Sequence, residues 1–181
     1  GNELGYRTPE MAAPDARCVH SPTLAAKYSG RNIVMHLGMD MRVNLAAVRE
    51  TGAVGHKLCT AMAGALPTSV PVQIQTSATN IVSYTFSSPN DAYLVALWTD
   101  GIAAEYDPGI PATVTVPLPG FDDHKVTGID VLHGFEQPLM ASEEDGNLVI
   151  RDLLVKDYPI LLRVSQIRRV FLPAVLRGAG G

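Results

Sequence analysis

One change of rhythm governs what this chain can fold into. Near Val70 the apolar residues stop recurring at helical spacing and begin to alternate. From there the pattern predicts strands near 70–76, 80–86, 92–98, 112–118, 125–132, 147–155 and 158–164. Turn residues stand between them: Ser87-Ser88-Pro89-Asn90-Asp91, Asp107-Pro108-Gly109, Pro119-Gly120 and Asp145-Gly146-Asn147. Each supplies a φ preference or a local side-chain hydrogen bond that a strand interior does not want. Short strands punctuated this often indicate a mainly β fold, an antiparallel β-sandwich, jelly-roll-like, of roughly seven or eight strands. The apolar tail Ile167–Leu176 suits a last edge strand, because Pro173 cannot donate to a central ladder.

Upstream, the spacing predicts helices. Ser21-Pro22 is a start signal, with serine as N-cap and proline at the first helical position. Leu24, Tyr28 and Met35 fall near one face of that helix, which should end around Gly38. Met41–Val48 alternates in part and reads as a strand. A second helix is expected from Ala53, its core stripe being Val54, Leu58, Met62 and Leu66 at i, i+4 spacing, with Pro67 ending it. The chain therefore divides into a helical segment, residues 1–66, and a sandwich domain, residues 67–181.

Composition removes whole classes of function. With 46% apolar and 18% charged residues, the 181-residue chain can build a core and is not disordered. Its net charge is −4. No base stands between Lys57 and Lys125, whereas Asp91, Asp100, Glu105, Asp107, Asp122 and Asp123 all fall in that gap. Such a surface repels phosphate backbones, so a nucleic-acid partner is not expected. No apolar run reaches the roughly 20 residues that span a bilayer. The five histidines and two cysteines lack metal-ligand spacing, and Asp122-Asp123 beside His124 reads as a solvated turn rather than a calcium site. Neither a metal nor a cofactor is expected, and phosphate-binding loops and a serine-hydrolase elbow are absent. Cys18 and Cys59 leave two readings open: one bond closing a loop of about 40 residues, worth roughly 3–4 kcal/mol, or two buried thiols. The chain opens on Gly1 without a signal-like segment, which suits a processed product.

Carboxylates are the better chemical candidates. Glycoside hydrolysis needs only two, one as acid/base and one as nucleophile or base. Asp100, Glu105 and Asp107 follow the strand that ends at Trp98, the sole tryptophan. An indole beside acids at a strand end can stack on a pyranose. The competing reading is a capped loop with Trp98 in the core.

Several segments carry a family resemblance. A-Y-L-V-A-L-W-T-D-G (92–101), V-T-G-I-D-V-L-H-G-F-E-Q-P-L (126–139) and L-L-V-K-D-Y-P-I-L-L-R-V (153–164) resemble the β-sandwich that follows the barrel in many TIM-barrel retaining glycoside hydrolases. N-E-L-G-Y-R-T-P (2–9) resembles the end of the seventh barrel strand, A-A-K-Y-S-G-R-N-I-V-M-H-L (25–37) the helix after it, and R-V-N-L-A-A-V (42–48) the eighth strand. The resemblance implies hydrolysis of β-glycosides, with Glu3 as nucleophile. Asn before Glu is also usual for the acid/base residue of such enzymes, so both roles stay open for Glu3. Catalytic candidates are thus Glu3, Glu105 and Asp107, and substrate-binding candidates Tyr6, Trp98 and Asp100, with a carbohydrate as partner. A barrel takes about 250 residues, so six of its strands and the acid/base glutamate have no counterpart here. The alternative is a non-catalytic accessory or carbohydrate-binding sandwich. Residues 1–60 would then lie against the sandwich or across a homo-oligomer interface.

Overall fold

A computed structural model describes residues 3–4, 20–45, 49–89, 92–117 and 124–166. The chain order is β1 (Glu3–Leu4), α1 (Pro22–Gly38), β2 (Asn44–Leu45), α2 (Arg49–Ala61), β3 (Leu66–Thr68), β4 (Gln73–Thr76), β5 (Ile81–Ser88), β6 (Ala92–Thr99), β7 (Ile110–Val116), β8 (His124–Asp130), β9 (Glu136–Leu139), β10 (Ser142–Glu144), β11 (Asn147–Val155) and β12 (Ile160–Gln166). The fold is mainly β, with two larger antiparallel sheets and two helices. Tyr6, Cys18, the Asp122-Asp123 turn and the 167–176 segment lie outside the described residues.

Helix α1 begins where its cap predicts: the Ser21 hydroxyl accepts from the Leu24 amide at 3.1 Å, with Pro22 at the first turn. Its buried side is broader than expected and differently placed. Ala25, Ala26, Lys27, Ser29, Gly30, Arg31, Ile33 and Val34 are buried, whereas Leu24, Tyr28 and Met35 are half-buried. The reason is that α1 is covered twice, by α2 and by a sheet, and small residues permit the close approach. A Cβ at Gly30 would stand 3.3 Å from Val54 and 3.4 Å from Pro159. Helix α2 buries Val54, Leu58 and Met62 as its stripe predicts, but Leu66 is 64% exposed. Gly64, at φ +70°, turns the chain after the helix, so Leu66 enters edge strand β3 out of helical phase.

One sheet has the order β3-β5-β6-β12-β8-β9 and the other β10-β11-β7-β4. All seven strands expected between residues 70 and 164 are present, and of the strand expected at Met41–Val48 the described part is β2, Asn44–Leu45. Strands β3, β9 and β10 are additional, of three or four residues each, and their sequences L-P-T, E-Q-P-L and S-E-E show no apolar alternation. Alternation decides the packing. On β6, Leu94, Ala96 and Trp98 join a core cluster with Ile33, Val34, Val54 and Leu58 of the helices. Val95 and Leu97 join a second cluster with Val114 and Val116 of β7 and Leu148 and Ile150 of β11. A strand covered on both faces needs a continuous apolar run, which A-Y-L-V-A-L-W supplies. The helices thus lie on the large sheet's outer face, within the chain.

Strand β11 carries a bulge. Its pairing with β7 shifts between Ile150 and Leu153, so the inward set passes from Leu148 and Ile150 to Leu153 and Val155. The extra residue lets both halves keep their apolar side chains in the core. Asp152 takes the strain, at φ +54°.

Candidate functional site

The loop after β6 holds three of the acids singled out in the sequence, and α1 clamps it. Arg31 is buried and uses its whole guanidinium on backbone oxygens: Nε donates to Asp157 at 2.8 Å, one terminal nitrogen to Gly101 at 2.6 Å and the other to Thr99 at 3.1 Å. Lys27, one turn earlier and 2% exposed, donates to the Ala104 carbonyl at 2.6 Å and pairs with Asp157 Oδ1 at 2.7 Å. Asp157 Oδ2 accepts from the Ala104 amide at 2.7 Å, and Tyr28 Oη accepts from the Ala103 amide at 3.0 Å. Two buried cations four residues apart therefore lock one helix to one loop. Both are satisfied by partners, as buried charges must be.

The expected acids have separate tasks in this arrangement. Asp107 accepts the Gly109 amide on Oδ1 at 3.0 Å and the Asp157 amide on Oδ2 at 2.6 Å. Both of its oxygens are thereby engaged in holding backbone. Asp100 is largely exposed, 3.7 Å from Arg31, and its amide donates to the Asn80 carbonyl at 2.8 Å. Glu105 is exposed on the same loop. Trp98 is a correction to the sugar-stacking reading. It is 3% exposed and stacks on Tyr84 at 5.8 Å, beneath the helices, so neither ring face can meet a sugar. Alternation accounts for this: Trp98 shares the inward side of β6 with Leu94 and Ala96, and the acids begin only after the strand ends. Lys27, Arg31 and Asp157 were missed in the sequence because an i, i+4 pair of bases on a helix normally marks its solvated face.

Glu3 lies on β1, which pairs in parallel with β2: Glu3 opposite Asn44 and Leu4 opposite Leu45. Helix α1 lies between them in the chain, making a β-α-β connection. Elsewhere among the described residues every pairing is antiparallel.

Other charges bind elements together at the surface. Glu136 of β9 takes Lys57 of α2 at 2.7 Å and Arg163 of β12 at 3.4 Å. The Lys57 hydrogen bond, with Arg163 adding to it, holds this carboxyl below the usual range. Glu144 is likewise lowered, first by the Ser142 hydroxyl and then by Arg151. Cys59, contrary to the buried-thiol reading, is exposed on α2 with a free thiol. Among the described residues no helix is long and apolar enough to cross a membrane. Compared with known proteins, the chain matches no family model and no curated protein.

Proposed function

We propose that this chain is the C-terminal part of a retaining β-glycoside hydrolase, in which residues 67–181 form a β-sandwich behind the last barrel strands and Glu3 is one of two catalytic carboxylates. The observation that carries the reading is the parallel pairing of Glu3–Leu4 with Asn44–Leu45 across α1. A strand, a helix and a parallel strand make the repeating unit of a (β/α)₈ barrel, whose catalytic groups sit at strand ends. Two parallel strands alone leave both edges open, and a barrel abolishes edges. On this reading further strands complete the barrel and bring the acid/base carboxylate.

The chemistry then follows from two carboxyl groups about 5–5.5 Å apart. A Glu3 oxygen bonds to the anomeric carbon while the bond from that carbon to the leaving oxygen breaks. The second carboxyl gives its proton to that oxygen. A water then loses a proton to the same group, attacks the anomeric carbon and frees Glu3.

The test, made on the protein with its barrel strands complete, is turnover of a panel of nitrophenyl β-glycosides, with intact-mass detection of a covalent fluoro-sugar adduct. Glu3→Gln should lower turnover at least about a thousandfold and abolish the adduct. Glu105→Gln and Asp107→Asn should act through folding alone. Turnover that survives Glu3→Gln overturns the site. Absence of both turnover and adduct favours the second reading, a non-catalytic carbohydrate-binding sandwich. One observation supports that second reading: Asp107 is bound at both oxygens by backbone amides, so it is not free to serve in a carboxylate pair.

A further inference from the structure

A cleft of about 370 Å³ opens between β8–β9 of the large sheet and the bulged strand β11. Its floor is apolar, made by Ile129, Ile150, Leu153 and Ile160, all buried. Three residues at its rim differ from the ordinary protein surface.

Phe135 is 70% exposed, with its backbone carbonyl tied to β8. Its ring lies nearly parallel to His133, with 6.3 Å between centroids and 13° between planes. His133 Nδ1 is 3.0 Å from Asp130 Oδ2, which also accepts the Tyr158 hydroxyl at 3.0 Å. Asp130 Oδ1 takes the amides of Leu132 and His133, each at 3.0 Å, and the Asp130 amide donates to the Phe135 carbonyl at 2.9 Å. Burial first, then the nearby carboxylates, raise the Tyr158 pKa, so its hydroxyl stays a donor. An exposed aromatic ring on a turn tied down in this way offers one open face to a flat partner.

Asp152 is the second. It is exposed, lines the cleft and sits at φ +54°, the conformation that favours glycine. Among the described residues its side chain has no hydrogen-bond or ion-pair partner. Strain kept by a carboxylate at a bulge is characteristic of sites that aim a side chain. Gln137, the third, lies on β9 opposite Gly128 of β8, and its side chain has no partner among the described residues.

The cleft's two bases are committed elsewhere. Arg151 binds the Glu144 carboxylate at 2.6 Å, and Lys156 donates to the carbonyls of Asp107 and Pro108 at 3.0 and 2.9 Å. An anion would face Asp152 and Asp130 with no free cation, and a cation would face Arg151 and Lys156. A wholly aliphatic ligand would desolvate Asp152 and Gln137 without replacing their hydrogen bonds to water. A pyranose fits, because it has a C–H face for the ring and hydroxyl edges for the carboxylate and amide. The volume is near the lower end of ordinary ligand pockets, about 300–1,000 Å³.

We propose that this cleft is a binding subsite for a neutral pyranoside of one or two rings, stacked on Phe135 and hydrogen-bonded by Asp152 and Gln137. It rests on the carbohydrate part of the proposed function and not on catalysis by Glu3. The test is titration of the isotopically labelled full chain with cellobiose, xylobiose, mannobiose and laminaribiose, following amide shifts. One of these should move the amides of Phe135, Gln137 and Asp152 saturably. Phe135→Ala should weaken binding at least tenfold, and Asp152→Asn about fivefold. Asp152→Gly, which suits the backbone, should weaken it similarly while leaving the fold intact. Silence of every cleft amide up to about 50 mM sugar, where even very weak affinity registers, overturns the subsite. So does binding that Phe135→Ala leaves unchanged. Shifts confined to the Glu3–Asn44 strand pair would also overturn it while supporting the hydrolase reading. Cleft binding that persists in a Glu3→Gln protein without turnover is the result expected if both readings hold.

Discussion

Replacing Lys27 by Met tests whether the helix is fastened to the loop by charge. Methionine keeps most of the stem's packing and removes only the ammonium. At 2.7 Å and an effective dielectric of about 20, the pair with Asp157 is worth about 6 kcal/mol before desolvation. Burying both ions offsets much of that gain. The variant, however, recovers none of the desolvation of Asp157, whose side chain is only 10% exposed. Asp157 Oδ1 has no hydrogen-bond donor apart from this ammonium, and the Ala104 carbonyl loses its own donor at the same time. The expected loss is about 3–5 kcal/mol, a fall in Tm of about 10 °C for a chain of this size. Urea unfolding followed by Trp98 fluorescence and far-ultraviolet dichroism measures it, since the single indole is buried against Tyr84. Asp157→Asn added to Lys27→Met should cost less than the sum of the two single changes, because no charge is then left alone. A Lys27→Met loss below about 1 kcal/mol, the level of an exposed pair, or strict additivity in the double variant, would refute the reasoning.

Two further outcomes follow from contacts elsewhere. A Cβ at Gly38 would overlap the Tyr84 ring, itself held on Trp98, so Gly38→Ala should destabilise by about 1–3 kcal/mol despite alanine's better helix propensity; thermal melts check this. Glu136 should titrate below the usual carboxylate range, and Lys57→Met should return it toward that range in an NMR titration. With the folded pKa depressed, its stabilising contribution is present above the ordinary glutamate pKa and lost as pH falls through the lowered one. The side chain is 39% exposed, which keeps that contribution below about 1 kcal/mol.

Local physics was legible in the sequence. A serine cap, a proline at the first turn and an apolar stripe located α1 and most of α2, because each acts within one helical turn. Alternation and turn residues located the seven strands expected between residues 70 and 164, because both operate within a single segment. The candidate site was far less legible. Asp107 carries the residue type of a catalytic acid, but its two oxygens are spent on amides two and fifty positions away in the chain.

What the sequence determined alone is the set of elements and the alternating sides of each strand. Only the tertiary structure decided what those sides meet. It put Trp98 under the helices rather than at a surface, and it sank Lys27 and Arg31 into a polar seam. It also obliged Asp152 to adopt a left-handed backbone so that both halves of β11 could keep their apolar residues inward. Each of these outcomes depends on residues brought together across long chain separations. Their energies come from burial and pairing between segments, which no local pattern records.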